Sequence, residues 1–147
     1  MTRNHAIAYF ISPHGFGHAA RAAAVMAAIH QLSPTVHFEI FTQVPEWFFA
    51  ESLTVPFGYH PLLTDIGLVQ QNSLIEDLPG TLRRLEDFLP FAPEQLEGLA
   101  RQLSQLKCDL VICDIAPPGP RRGPGGQYSK HTRRKFHLGL DLSDLFA

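Results

Sequence analysis

Short apolar runs recur along the chain at residues 6–11, 36–42, 57–62 and 108–115. Runs in which nearly every side chain is apolar are typical of strands that are buried on both faces of a parallel sheet. The first run ends at Ser12, where a glycine-containing loop begins. The pattern therefore predicts buried parallel strands.

Helical spacing fills the intervals between these runs. Residues 18–32 are rich in alanine, and small side chains allow a helix to pack closely on a sheet. Strands that alternate with helices imply an α/β fold with a Rossmann-like, doubly wound parallel sheet, and 147 residues with 45% apolar content fit one domain. The other intervals predict a short helix at 45–53, a loop at 65–72, and helical structure at 78–107 that is broken at Pro90 and Pro93.

The alternating pattern stops after Ala116. Residues 117–147 are rich in Pro and Gly and carry six Lys or Arg against two Asp or Glu, whereas residues 1–116 carry six basic and twelve acidic residues. A stretch of this composition does not build a packed core. We therefore predict a partial Rossmann-like domain at 1–116 and a disordered or non-native basic tail at 117–147. A natural tail that contacts nucleic acid or an acidic partner is the alternative; under the favoured interpretation no nucleic-acid partner is expected.

The two cysteines and the N-terminus indicate the compartment. Cys108 and Cys113 lie an odd number of residues apart in a predicted strand, so we expect their side chains on opposite faces, with neither a disulfide nor a metal pair. The N-terminal residues lack a secretory signal, and no apolar run approaches the roughly 18 residues that a membrane helix needs. The sequence therefore predicts a cytoplasmic protein without a membrane span.

The loop over residues 12–18 is the most informative segment. Doubly wound sheets bind ligands at the carboxyl ends of their strands, where the loops after strands one and four meet at the switch point. Gly15 and Gly17 permit a tight turn and the close approach of a ligand, and the N-terminus of the following helix can receive a phosphate or a sugar oxygen. A glycine turn that only connects strand to helix is the alternative.

The same loop also fits G-x-G-x-x-A, the dinucleotide-binding fingerprint, through Gly15, Gly17 and Ala20. That fingerprint requires an acidic residue at the end of the second strand to hold the ribose. The second strand instead ends in Thr42, and Glu39 lies in its interior. A dinucleotide-binding domain is therefore the less favoured interpretation.

The sequence Gly-Phe-Gly-His-Ala-x-Arg at residues 15–21 resembles the opening of MurG-like and related GT-B glycosyltransferases. Residues 45–49, 65–70 and 109–114 each resemble segments of a bacterial glycosyltransferase-like group. The N-terminal region of plant-type L-arabinokinases shares the Gly-Phe-Gly-His-Ala element. The resemblance extends over residues 5–116.

This resemblance implies the incomplete N-terminal half of a GT-B fold. In that fold the N-terminal half receives a sugar or glycolipid acceptor, the C-terminal half holds the nucleotide-sugar donor, and hexosyl or N-acetylhexosaminyl transfer occurs in the cleft between them. No other cofactor is implied, and peripheral contact with a membrane is compatible with a glycolipid acceptor. The chain without the donor domain is expected to be inactive. A sugar- or nucleotide-binding module that a partner completes is the alternative.

The resemblance also implies roles for individual residues. His18 is the candidate for a general base or an acceptor-orienting group, because an imidazole titrates near neutral pH, and Asp114 is the candidate to orient it or to bind a sugar hydroxyl. Arg21 lies one helical turn beyond His18 and can pair with a phosphate or carboxylate. A packing histidine, a turn-capping aspartate and a solvated arginine are the respective structural alternatives. The other predicted substrate contacts are His14, Gly15, Phe16, Gly17, Asp65 and Gln70.

Two further sets of side chains have competing interpretations. His14 and His18 are four residues apart, but without a third ligand they predict no metal site. Trp47, Phe48 and Phe49 form either a sugar-stacking or lipid-facing surface or, as is more common for aromatic clusters, part of the core.

The break after Ala116 also has an explanation in the DNA. If one cytosine is removed from plausible codons for Pro117 and Pro118, the next frame reads PLGPAAAPAGSIPSILVENFTWDWIYR. This string supplies a small-residue helix, a turn and an apolar strand, and the glycosyltransferase-like group carries a segment similar to ENFTWDWIY at this place. In the shifted frame the first and third bases of each codon are set by the present amino-acid sequence, and only the middle base is free. The choice of codons alone therefore does not explain the match. We therefore predict a frameshift that truncates a glycosyltransferase.

Overall fold

The computed structural model describes residues 5–89 and 92–114, so the predictions for 117–147 lie outside the described residues. Its strands are β1 (His5–Ile11), β2 (Val36–Thr42), β3 (Phe57–Pro61), β4 (Gln70–Asn72), β5 (Ile75–Glu76) and β6 (Cys108–Asp114). Its helices are α1 (Phe16–Leu32), α2 (Glu46–Ser52), α3 (Leu78–Phe88) and α4 (Pro93–Gln105). The main sheet has the order β3-β2-β1-β6, with all neighbours parallel. This confirms the predicted Rossmann-like α/β sheet.

Helices α1 and α2 cover one face of the sheet. Successive side chains of a strand point to opposite faces, and Phe38 and Ile40 of β2 point to this one. They belong to the same buried cluster as Ala19 and Ala22 of α1 and Phe49 of α2. The alanines lack bulky side chains, so α1 lies close to the sheet, as its composition predicts.

Helix α4 covers the opposite face, and a bulge in β6 decides which side chains meet it. The pairing of β1 with β6 skips Asp109, which reverses the alternation of the residues that follow. As a result Cys108 and Cys113 both pack into the cluster under α4, and they are not joined in a disulfide. The prediction that their odd spacing points them to opposite faces is wrong, because it assumes a regular strand.

Strands β4 and β5 form a small antiparallel hairpin where the sequence predicts only a loop. The side chain of Asp77 follows it and caps α3 by accepting a hydrogen bond from the Gly80 amide at 2.9 Å. As predicted, the helical structure between residues 78 and 107 is divided into two helices. No helix within the described ranges has both the length and the apolar character needed to cross a membrane.

A buried carboxylate lies in the interior of β2, on the α4 side. Glu39 accepts hydrogen bonds from His60 Nε2 at 2.6 Å and from His37 Nε2 at 3.0 Å. Gln102 of α4 donates to His60 Nδ1 at 3.0 Å, so the network joins β2, β3 and α4. Gly58 of β3 lies directly beside Glu39, and a Cβ atom there would overlap the carboxylate. The network therefore depends on a glycine at this position.

Replacing Gly58 by alanine is expected to lower the free energy of unfolding by about 2 kcal/mol, because Glu39 would have to leave buried hydrogen bonds. The matched control is Gly98→Ala in α4, where a Cβ would contact nothing within 4 Å. That change should raise the free energy of unfolding by about 0.5 to 1 kcal/mol, since glycine weakens a helix interior. Urea denaturation of both variants measures the difference. Equal free energies of unfolding for the Gly58→Ala and Gly98→Ala chains would show that Glu39 can move aside without cost.

Candidate functional site

The carboxyl ends of β1 and β6 lie side by side at the switch point of the sheet, and the loop after β1 leads directly into α1. Gly15 precedes the first helical residue with φ +76° and ψ 159°, a conformation that favours glycine. No side chain caps this helix end. A Cβ at Gly17 would meet nothing within 4 Å, so the space beside the first turn of α1 is open at this position. The first-turn amides of α1 therefore adjoin an accessible surface.

His18, Arg21 and Asp114 meet at this edge. His18 Nδ1 lies 2.8 Å from Asp114 Oδ2, and the side chain of Asp114 is only 12% exposed. Arg21 donates through Nη2 to the other carboxylate oxygen of Asp114, and the same nitrogen lies 3.1 Å from His18 Nδ1. The structure thus brings together three of the predicted residues from α1 and the end of β6.

The hydrogen bond to Asp114 determines which nitrogen of His18 can react. The Asp114 carboxylate is paired with a guanidinium and can only accept, and from this contact we assign the hydrogen to His18 Nδ1, although Arg21 Nη2 lies beside the same nitrogen. In the neutral ring the lone pair is then on Nε2, which has no hydrogen-bond partner among residues 5–89 and 92–114. In that tautomer Nε2 is the ring nitrogen that can accept a proton, and a role of His18 as a base stays a prediction.

The Tyr9 phenol, which interacts with Asp114 and Arg21, and the Cys113 thiol, which precedes Asp114 in β6, stay protonated near neutral pH. Burial raises the pKa of the Tyr9 phenol, and the Asp114 carboxylate raises that pKa further, while Arg21 lowers it. Burial also raises the pKa of the Cys113 thiol from its ordinary value of 9.0 to about 11. Cys113 is therefore a thiol near neutral pH and is not suited to act as a nucleophile.

The Cys113 thiol is expected to react slowly with iodoacetamide. In a Cys108→Ser chain, which keeps Cys113 as the single thiol, alkylation at pH 8 should be about 100-fold slower in the native state than in urea, following the thiolate fraction. The native rate should rise about tenfold per pH unit up to pH 10, whereas the rate in urea should level off near pH 9. Native rates that level off near pH 9 as well would contradict the raised pKa.

A second group of polar residues fixes the loop after β3 against the loop after β1. Asp65 accepts hydrogen bonds from Ser12 Oγ at 3.0 Å and from the Gly67 amide at 3.1 Å. The ring of His14 lies over Gly67, where a Cβ would come within 2.6 Å of it, and His14 Nε2 lies 3.2 Å from the Asp65 carbonyl oxygen. Thr64 Oγ1 donates to the carbonyl of Ile11 at 2.6 Å. These bonds shape the edge of the site.

The predicted site residues therefore fall into several places. His14 and Asp65 belong to the loop-fixing group, and their role as acceptor contacts stays a prediction. Phe16 lies at the start of α1 beside Trp47, and Gln70 lies on the exposed hairpin strand β4. No hydrogen bond in the described part of the chain joins the Gln70 side chain to the other predicted residues.

Ser12 and Thr64 are not singled out by the sequence. Each has a hydrogen-bond partner 53 residues away along the chain, so no local pattern reveals it. Within the described ranges, no three His, Cys, Asp or Glu side chains lie close enough together to hold a metal ion. The prediction of no metal site stays a prediction.

Comparison with known proteins gives one partial match. The chain is 30% identical over 112 residues to L-arabinokinase of Arabidopsis thaliana. The match covers 75% of this chain but only 11% of the length of that protein. No protein-family model matches the chain, and no solved structure matches it. The match supports the resemblance to L-arabinokinases over part of the chain, while the resemblance to MurG-like and GT-B glycosyltransferases stays a prediction.

Proposed function

We propose that this chain is the acceptor-side part of a nucleotide-sugar-dependent GT-B glycosyltransferase, with His18 as the general base. The observation that carries the proposal is the 2.8 Å contact between His18 Nδ1 and Asp114, which leaves the lone pair of Nε2 directed away from the pair. The pair lies at the switch point of a parallel sheet, where ligands of such folds bind. The partial similarity to a kinase named for L-arabinose supports a sugar as the ligand.

The proposed reaction requires one proton transfer in this half of the protein. A hydroxyl of the acceptor gives its proton to His18 Nε2 while its oxygen forms a bond to the anomeric carbon of the donor sugar. The bond from that carbon to the nucleoside diphosphate breaks, and the diphosphate leaves with the electron pair. Asp114 stabilises the imidazolium that forms, because its carboxylate already faces Nδ1. The donor is assigned to a second domain.

Arg21 and the uncapped start of α1 add positive potential beside the base. The guanidinium is fixed to Asp114 at one nitrogen, and its side chain is otherwise exposed. The amides after Gly15 add the positive end of the helix dipole. In the proposal these groups hold sugar oxygens or a phosphate of the donor and orient the acceptor beside Nε2.

A partner-completed sugar- or nucleotide-binding module is the second candidate. The match to L-arabinokinase favours this candidate, because it covers only 11% of that protein, so that a similar segment occurs there together with a much larger part of the chain. A dinucleotide-binding domain is less well supported. The last residue of β2 is the buried Thr42, and the Glu39 carboxylate is held by His37 and His60, so β2 offers no acid at its carboxyl end.

The proposal includes the division of the chain at Ala116. Residues 1–116 are taken as the partial domain, and 117–147 as the product of one extra base near the codons of Pro117 and Pro118. The support is the abrupt end of the alternating pattern and the helix, turn and strand that the shifted frame supplies. In the proposal the missing donor domain is encoded in that frame.

Nuclear magnetic resonance titrations of the chain test the site. L-arabinose, N-acetylglucosamine and NAD are the probes, each raised to about 100 mM because single sugars bind weakly. We expect at least one sugar to shift the amide signals of Gly15 and Gly17 and the His18 ring signals, and a His18→Gln chain to lose the response. Saturable binding of NAD would instead support the dinucleotide alternative. A loop that responds to no sugar would contradict the proposed site.

A further inference from the structure

Three aromatic side chains form one surface at the carboxyl edge of the sheet, and we name it the aromatic corner: Phe16, Trp47 and Phe48. The rings of Phe16 and Phe48 are stacked, with centroids 5.0 Å apart and planes at 15°. Trp47 lies 5.9 Å from Phe16 with its plane tilted by 55°. The tilt turns the two rings into a corner rather than a flat patch.

The outer rings of the corner are exposed, while its base is anchored in the core. Phe16 is 50% exposed and Trp47 is 53% exposed. Phe48 packs against the core and meets the fully buried Phe49 edge-on, at a centroid distance of 5.6 Å. Tyr59 Oη donates to the carbonyl of Val44 at 2.8 Å, which fixes the loop that leads into α2. The exposed rings are therefore held in place.

The corner flanks the site on the side opposite to Asp114. Phe16 and His18 are two residues apart in α1, and residues at this spacing point to different sides of a helix. Phe16 contacts α2, which follows β2, whereas His18 contacts the end of β6, on the other side of β1. The open space beside Gly17 lies in the turn between them. The aromatic corner and the His18–Asp114 pair therefore lie on two sides of the start of α1.

We propose that the aromatic corner is a stacking subsite for a pyranose ring of the acceptor, adjacent to the ring whose hydroxyl faces His18. A pyranose presents a face of C–H groups, which packs on an aromatic ring, and a rim of hydroxyls that need polar partners. Gln43 and Glu46, which are exposed and precede Trp47 in the sequence, are the polar side chains that we assign to this rim. The subsite rests on the proposed function, which supplies the sugar at His18.

Trp47 is the single tryptophan of the chain and therefore reports on the corner directly. The probes are the methyl pyranosides of arabinose, galactose and N-acetylglucosamine, and the measurement is acrylamide quenching of Trp47 fluorescence. We expect at least one glycoside to lower the quenching constant by about twofold at saturation, because the stacked ring covers the indole. Phe16→Ala should weaken that glycoside about fivefold, which reflects the loss of one stacking partner.

The matched control is Leu32→Ala, at the last residue of the same helix and 69% exposed, which should leave the affinity unchanged. A His18→Gln chain separates the two proposals. Suppose that the glycoside still protects Trp47 from quenching in the His18→Gln chain, and that the His18 ring signals of the unchanged chain do not respond to it. That result would support the aromatic corner and contradict His18 as the base. A response at His18 without protection of Trp47 keeps the site and overturns the corner.

Two other outcomes also overturn the subsite. Phosphatidylcholine vesicles that shift the Trp47 emission to the blue, when no glycoside protects it, would make the corner a lipid-facing surface. Equal glycoside affinities of the parent, Phe16→Ala and Leu32→Ala chains would show that the rings do not contribute to binding.

Discussion

Replacing Phe38 by alanine is expected to lower the free energy of unfolding by about 4 kcal/mol. Phe38 is fully buried on β2, between the neighbouring strands and the helices α1 and α2. Its removal leaves a cavity that the closely packed alanines of α1 cannot fill, because they have no further side-chain atoms to move into it. Urea denaturation followed by circular dichroism measures the change.

The control for this prediction is Leu74→Ala. Leu74 is 94% exposed in the turn between β4 and β5, so its truncation should change the free energy of unfolding by less than about 0.5 kcal/mol. A loss below about 1 kcal/mol for Phe38→Ala would mean that the face under α1 and α2 is not the principal core.

If the proposed function and frameshift hold, replacing His18 by glutamine in the full-length glycosyltransferase that they imply is expected to lower kcat by about 10²- to 10⁴-fold, the usual contribution of a general base. Glutamine keeps a polar side chain of similar size but cannot take the hydroxyl proton. Asp114→Asn should act in the same direction, because an amide can donate to Nδ1 and so favours the tautomer with a hydrogen on Nε2. Release of nucleoside diphosphate from a nucleotide sugar, in the presence of acceptor, measures the rate.

A second histidine–aspartate pair provides the matched control. His5 Nδ1 lies 3.2 Å from Asp109 Oδ2, and this pair joins the same two strands at their amino ends. His5→Gln should change kcat by less than about twofold, because ligands of parallel sheets bind at the other edge. Equal losses for His5→Gln and His18→Gln would show that both histidines act through stability rather than through proton transfer.

The parts of the fold that follow from local pattern could be predicted from the sequence. The apolar run at 36–42 matches β2, and the alanine-rich segment matches α1 except that the helix begins at Phe16. Two features were not predicted, because they depend on how strands pair with one another. The bulge at Asp109 is a property of the pairing between β1 and β6, and the β4–β5 hairpin forms from residues that carry no clear strand pattern.

The candidate site shows the same division. The neighbourhood of the glycine loop and Asp114 follows from the order of the strands, and the contact between His18 and Asp114 agrees with it. The contact between Phe16 and Trp47 joins α1 to α2, and no periodicity in either helix predicts it. The sequence also leaves Trp47 and Phe49 equivalent, whereas packing buries Phe49 and exposes Trp47. Tertiary contacts therefore decide what local patterns leave open.

Resequencing the DNA across the codons of Pro117 and Pro118 tests the central claim most directly. If the chain is the acceptor-side part of a glycosyltransferase, the corrected sequence should lack one base, and the open frame should continue into a second Rossmann-like domain that holds the donor site. Confirmation of the present frame, with no second domain encoded downstream in any frame, would contradict the claim. The sugar-binding module completed by a partner would then replace it.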